Sequence, residues 1–217
     1  MKINKLIDHT VLKAFATEKD IINLCAEAKE FDFASVCVNP ANVKLASELL
    51  KDTDVLVCTV IGFPLGANTI KVKAFETVDA VKNGAKEIDM VINVGKAKEQ
   101  NFNYIEEEIK AVVAAANGNL VKVILETCYL TPEEIKNCCI AATNAKADFV
   151  KTSTGFGTGG AKVEDVALMK ANISSGMQVK ASGGVRTLED LEKMVAAGAT
   201  RIGASSGAQI ISEYNKK

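Results

Sequence analysis

Short apolar runs recur along the chain at 6–10, 33–39, 55–61, 87–93, 121–127, 148–153, 178–182 and 201–205, most of them rich in valine and isoleucine. Runs of this length with few polar interruptions are the pattern of parallel strands buried on both faces. The segments between them carry helix-start signals. Thr17-Glu18-Lys19-Asp20, Thr131-Pro132-Glu133-Glu134 and Thr187-Leu188-Glu189-Asp190 each set a hydroxyl three positions ahead of a carboxylate, the spacing of a capping box. Pro132 falls at a first helical position, where its missing N–H costs nothing. Asn39-Pro40 opens a further helix directly after the second strand, and Gly84, Gly118 and Gly198 mark helix ends. Eight strands alternating with helices predict an α/β fold, a (β/α)8 TIM barrel, as one domain over 1–217 with no linker dividing it. A doubly wound open sheet is the competing arrangement. It lacks the G-x-G-x-x-G that its dinucleotide-binding version places after the first strand.

Side chains alternate faces along a strand, and barrel interiors are normally filled with branched apolar residues. Polar residues of one parity near strand ends therefore need a reason. One consistent parity gathers Asp8 and Thr10, Ser35, Cys37 and Asn39, Asp89, Lys122 and Glu126, Lys151 and Ser153, and Lys180 and Ser182. The C-terminal mouth, where barrel enzymes place their chemistry, is where they would meet. His9 has the opposite parity and is read as a structural histidine. Glu126 and Lys122 are read as a structural pair, and Cys37 as a packed thiol near the mouth.

Lys151 and Lys180 carry the chemistry in this reading. They lie on consecutive strands, about 4.8 Å apart in a barrel. Burial and a like-charged neighbour both disfavour a protonated amine, so the expectation is a lysine pair held partly neutral. Only the neutral amine attacks a carbonyl, which points to Schiff-base chemistry. Asp89 is placed to move protons or to balance the lysines.

Composition narrows the classes. The formal net charge is −1, so no long-range field favours nucleic acid or an anionic membrane, and a small-molecule substrate is expected. No apolar run behind Met1 reads as a signal peptide and none approaches ~20 residues, so a cytoplasmic location is expected. The six cysteines form no C-x-x-C pair, consistent with reduced, buried thiols. The single histidine excludes a three-histidine zinc site within one chain and argues against a metal-dependent aldolase.

Glycine-rich segments follow the last three strands: Gly155-Phe156-Gly157-Thr158-Gly159-Gly160, Gly183-Gly184-Val185-Arg186 and Gly203-Ala204-Ser205-Ser206-Gly207. Loops in these places often cradle phosphate with backbone amides. The residues alone leave two readings open: a Schiff-base aldolase for a phosphorylated aldehyde, or a non-catalytic phosphosugar-binding barrel.

Together with Ile7-Asp8-His9-Thr10, Glu87-Ile88-Asp89-Met90-Val91-Ile92-Asn93, Lys151-Thr152-Ser153-Thr154-Gly155-Phe156 and Lys180-Ala181-Ser182-Gly183-Gly184-Val185-Arg186, these segments resemble the deoxyribose-phosphate aldolase family over nearly the whole chain. The resemblance implies a TIM barrel with Lys151 as Schiff-base residue and Asp89 and Lys180 as proton donors and acceptors. Asp8, Thr10, Gly155, Gly183, Gly184, Gly203, Ser205 and Ser206 would bind phosphate and substrate. It implies a lyase that cleaves 2-deoxy-D-ribose 5-phosphate to D-glyceraldehyde 3-phosphate and acetaldehyde, in carbohydrate degradation, with no metal or organic cofactor. A homodimer is the candidate assembly. Some members carry a lysine where Phe156 stands, so a modest preference for phosphorylated over free deoxyribose is expected here.

Overall fold

The computed structural model describes residues 2–216. Eight strands, β1 (Ile7–Val11), β2 (Ser35–Val38), β3 (Leu56–Ile61), β4 (Glu87–Val91), β5 (Leu120–Ile124), β6 (Phe149–Lys151), β7 (Gln178–Ser182) and β8 (Arg201–Ala204), pair in parallel in chain order. β8 returns to pair with β1 and closes the barrel. Around it run α1 (Glu18–Glu30), α2 (Val43–Leu50), α3 (Ile70–Lys82), α4 (Val94–Lys98), α5 (Phe102–Ala116), α6 (Pro132–Asn144), α7 (Val163–Ala171), α8 (Leu188–Ala196) and α9 (Gly207–Tyr214).

The three expected capping boxes all form. Thr17, Thr131 and Thr187 accept from the N–H of Asp20, Glu134 and Asp190, whose carboxylates return a bond to the cap. Each contributes about 1 kcal/mol and fixes where α1, α6 and α8 begin. The Asn39-Pro40 signal opens only a 3-10 turn, Pro40–Asn42, ahead of α2, and the Asn39 amide donates instead to the Leu12 carbonyl at 3.2 Å. Several expected strands run too long at their C-terminal ends. Ile92, Leu125 and Thr152 keep single backbone bonds to the neighbouring strand, but the chain then leaves the ladder, with Glu126 in the left-handed region at φ 57. These segments are apolar because the mouth buries them, not because they are extended.

The parity of the strands sorts the core. Ile7, Val36, Val57, Ile88, Val123, Val150, Val179 and Ile202 point outward into the layer of helices and form the main apolar core. Each such side chain stabilises the fold by about 1.5–3 kcal/mol. The inward face mixes its polar residues with Val91, Ile124 and Phe149, which share the parity of Asp89, Lys122 and Lys151, and with a small cluster of Leu12, Cys37, Cys58 and Val60 capped by Phe63. α3 inverts the usual pattern: Lys73 and Thr77 are buried, whereas Val72, Phe75 and Val78 face out.

Candidate active site

The register brings the inward polar residues into one layered cluster. Asp89 lies beside Lys122, Lys151 beside Lys180, Lys180 beside Arg201, and Asp8 beside Ser35 and Gly203. Asp89 Oδ2 accepts from Lys151 Nζ and from Lys180 Nζ, each at 2.7 Å. The two lysine nitrogens therefore meet on one oxygen at the same end of the barrel. Asp89 Oδ1 accepts from Lys122 Nζ at 2.8 Å, and Lys122 also reaches Glu87 at 2.6 Å. Asp8 takes Lys180 at 2.5 Å, Arg201 at 2.6 Å and the Ser35 hydroxyl at 2.7 Å. Arg201 closes the set on Glu87 at 3.1 Å.

This is more charge than parity alone suggested. Glu87 and Arg201 were not singled out by sequence, although Glu87 has the parity of Asp89 and Arg201 that of Gly203. Their signal lay in that spacing. Cys58 is a further member, its thiol 3.1 Å from Asp89 and 3.3 Å from the Lys122 ammonium. Cys37, Cys58 and Asp89, and likewise Asp8, Cys58 and Glu87, are close enough to hold a cation. The Lys122 ammonium already sits against Cys58, Glu87 and Asp89 and supplies that positive charge.

Electrostatics correct one expectation. Burial pushes Lys180 down, but Asp8 and Asp89 outweigh it and hold Lys180 above the ordinary lysine range. Mutual repulsion of the two lysines is not what governs Lys180, because a carboxylate stands between them. Burial pushes Asp89 up, and Lys122, Lys151 and Lys180 overcome it and hold the carboxyl well below its usual range. Lys122, too, is held well above its ordinary value despite burial, by Asp89, Glu87 and Asp8. Three carboxylates face four cations. Lys122 has three carboxylates within reach, Lys180 two, and Lys151 one. Lys151, with the fewest anionic partners of the three lysines, lies at the edge of this network.

Lys151 also opens to a cavity of about 630 Å³ at the C-terminal mouth. Thr10, Gly155, Gly183, Gly184, Gly203 and Ser205 line it as expected, with Thr154, Ser182, Lys13 and Arg186. Lys13 and Arg186 bring positive charge that the candidate set did not include. Asp8 does not reach the cavity: it is fully buried beneath it, ion-paired to Lys180 and Arg201. Ser206 is not among the lining residues and stands at the N-cap position of α9, without a side-chain capping bond. Asp89 and Lys180 do not line the cavity: Asp89 is joined to it by its bond with Lys151, and the Lys180 side chain lies against Gly203. Cys37 is likewise buried, inside the small apolar cluster rather than at the mouth. The expected Glu126–Lys122 pair is absent, since Lys122 is spent on Glu87 and Asp89 while Glu126 binds Thr154. His9 points outward, its Nε2 2.6 Å from Glu27 and its ring against Phe33.

Gly183 and Gly184 both adopt positive φ, and Gly160 packs on the Gly183 carbonyl where a Cβ would come within 2.2 Å of the oxygen. Only glycine allows the two loops to touch in this way.

An amine that opens to the mouth of a parallel barrel, backed by a carboxylate and a second ammonium, is an arrangement suited to enzymes that work through covalent imines on carbonyl substrates. The comparison with known proteins narrows this: residues 2–213 match the model of the DeoC/LacD family aldolases, and the chain belongs to that family. It is 59% identical over 219 residues to a deoxyribose-phosphate aldolase of Thermoanaerobacter sp. (strain X514), covering 100% of this chain and 98% of the relative. It is 62% identical over 208 residues to one of Lysinibacillus sphaericus (strain C3-41), covering 95% and 93%. The solved structure of deoxyribose phosphate aldolase from Aeropyrum pernix, described as a unique tetramer, superposes with a TM-score of 0.89 at 33% identity, covering 98% of this chain and 91% of that one.

Proposed function

We propose that the chain reversibly cleaves 2-deoxy-D-ribose 5-phosphate to D-glyceraldehyde 3-phosphate and acetaldehyde through a Schiff base on Lys151. The observation that carries this is the Lys151 nitrogen, which opens to the cavity while lying 2.7 Å from Asp89. Neutral Lys151 attacks C1 of the open-chain sugar, and the carbinolamine loses water to give an iminium ion. Its positive charge forms beside Asp89, which is already ionised and fixed, so little reorganisation is needed. As Lys151 turns toward the sugar, its place on Asp89 Oδ2 is freed for a water held also by Lys180. That water takes the C3 hydroxyl proton. The C2–C3 pair of electrons flows to the iminium, the C2–C3 bond breaks, and glyceraldehyde 3-phosphate leaves. The enamine is protonated at C2, and water hydrolyses the iminium to release acetaldehyde and the free amine.

The phosphate is read as lying against Gly155, Gly183, Gly184, Gly203 and Ser205, with Arg186 and Lys13 at the rim. These two cations offset the missing charge at Phe156, a position more than half exposed. No metal or organic cofactor enters the scheme. Among the described residues no helix is long and apolar enough to cross a membrane, and a cytoplasmic location is part of this reading. Assembly into at least a homodimer is also part of it, supported by the outward apolar stripe of α3 and by the tetramer described for the Aeropyrum relative.

Trapping tests the proposal. Incubation with acetaldehyde and borohydride, followed by peptide mass spectrometry, is expected to leave one ethyl group on Lys151. Lys151→Ala is expected to remain folded, take up no adduct and show no turnover above background. An adduct on another lysine, or an active Lys151→Ala protein, overturns the assignment.

A further inference from the structure

Glu126 stands two residues beyond β5, is 3% exposed, and holds a left-handed backbone at φ 57, ψ 62. No ion pair reaches its carboxylate among the described residues. A buried carboxylate without a cation is costly unless fixed donors satisfy it. Here the donors come from the loop that follows the Schiff-base strand. The Thr154 N–H lies 3.2 and 3.3 Å from the two oxygens, and the Thr154 hydroxyl donates to Oε2. Thr154 Oγ1 in turn accepts from the Phe156 N–H at 3.0 Å. Gly157 is seated on the same side chain: a Cβ there would come within 3.1 Å of Glu126 Cδ and 2.9 Å of Cys128 Sγ. At its far end the loop is fastened to the β7–α8 loop, where Gly160 meets the Gly183 carbonyl and Ala161 N–H donates to that carbonyl at 2.9 Å.

Glu126 thus acts on the shape of a loop and not on the reacting nitrogen. Lys151 is anchored separately, by Asp89 at its side chain and by β5 and β7 along its backbone. We propose that Glu126 is a positioning residue for recognition of the substrate's phosphate. Its carboxylate sets 154–157 so that Gly155 faces the cavity, and through Gly160 it steadies Gly183 on the neighbouring loop. The inference rests on reading the glycine rim as the phosphate grip, and the experiment separates the two.

Glu126→Ala, Glu126→Gln, Thr154→Val and, as a probe of the grip itself, Ser205→Ala are assayed with 2-deoxy-D-ribose 5-phosphate and with free 2-deoxy-D-ribose. Each is also tested for acetaldehyde trapping and thermal stability. Glu126→Ala is expected to raise KM for the phosphorylated sugar by about 10-fold, the scale of losing hydrogen bonds to a charged group. Its kcat, its trapping rate and its kcat/KM on the free sugar should stay within about 3-fold of the parent. Glu126→Gln keeps one acceptor for the Thr154 N–H and should recover part of the loss. A purely structural role would instead lower both sugars and trapping together, and that result overturns the proposal. Should Glu126→Ala fail to fold, Glu126→Gln and Thr154→Val decide, each expected to shift the phosphorylated substrate selectively. If Ser205→Ala erodes phosphate preference while the Glu126 and Thr154 variants do not, the positioning role alone fails. If none of the four changes that preference, the grip is misplaced and both readings fall.

Discussion

Two sets of ions are buried in this protein to the same depth, and they hold their protons in opposite ways. Between α3 and α5, Lys73 and Glu108 are both fully buried and meet at 2.6 Å. Burial pushes Lys73 below the ordinary lysine range and Glu108 above the ordinary carboxylate range, because one opposite charge does not offset desolvation. Inside the barrel burial acts in the same direction, yet Asp89 is held well below its usual range and Lys180 above. The difference is the number of partners. Asp89 faces three ammoniums and Lys180 two carboxylates, while Lys73 and Glu108 each touch one ion only, with Glu76 adding a weaker pull on Lys73 from further off. A buried charge becomes secure when the ions around it form a network. Lys151 stands at the thin edge of that network, with one carboxylate and an open side toward the cavity.

The largest effect expected from this contrast is at Asp89. Asp89→Asn removes the anion shared by three ammoniums and leaves them facing one another. It should cost about 3–5 kcal/mol of stability, the scale of breaking a buried ion cluster, and lower kcat by roughly 10²–10⁴ through loss of proton handling. Urea unfolding with parallel kinetics checks it. An Asp89→Asn protein as stable as the parent would mean that the network is not what secures these charges.

A smaller effect is expected at the isolated pair. Glu108→Gln should cost about 1–3 kcal/mol, because Lys73 is already pushed toward its neutral form and can shed its proton. The amide can still bond the backbone at Asn93, which Glu108 now holds at 2.6 Å, and Lys73 keeps the Val91 carbonyl at 2.7 Å. Replacing both, Lys73→Met with Glu108→Leu, should be close to neutral or stabilising by about 1–4 kcal/mol. If the single change costs as much as Asp89→Asn, partner number is the wrong explanation.

The two regions also differ in how far the sequence discloses them. Period-two parity on β4, β6 and β7 put Asp89, Lys151 and Lys180 on one face, and the closed register brings them together. The same rule reaches Glu87 and Arg201, which lie one step of parity below Asp89 and Gly203. Parity says which face a side chain takes but not its depth, so it gathers Asp8 with the mouth residues although Asp8 lies under the cavity. It also cannot say which ion pairs with which, hence the expected Glu126–Lys122 pair. The capping boxes of α1, α6 and α8 were plain because their chemistry is local. The Lys73–Glu108 pair had no signal. Lysine and glutamate on helices usually mark a solvated face, and here α3 turns Phe75 outward and Lys73 inward. Tertiary packing overrides the helical pattern there, and nothing within α3 records it.

The pH dependence of stability carries the contrast to its smallest and most discriminating effect. Asp8 and Asp89 have lowered folded-state values, set against burial chiefly by Lys180 and Lys122 respectively. Their contribution is present above the unfolded carboxylate value of about 4 and is lost only as pH falls through the folded values. Lys122 and Lys180 are raised, so theirs is complete below the unfolded lysine value of about 10.4 and fades only when pH climbs past it. The barrel network should therefore contribute a constant amount between about pH 4 and pH 10. The isolated pair runs the other way. Glu108 is raised, so the folded protein keeps that proton longer than the unfolded chain, and stability declines as pH rises from about 4 through the folded value. Lys73 is lowered, so the unfolded chain holds more protons as pH climbs toward about 10.4, and stability recovers. Relative to the Lys73→Met, Glu108→Leu double variant, the parent should be weakest in the middle of the range and gain toward both ends. For a chain of this size about 1 kcal/mol corresponds to about 2–4 °C in Tm, so paired melting curves at closely spaced pH values resolve the trough. A parent-minus-variant difference that peaks near neutrality would show that Lys73 and Glu108 are as well secured as the ions of the barrel.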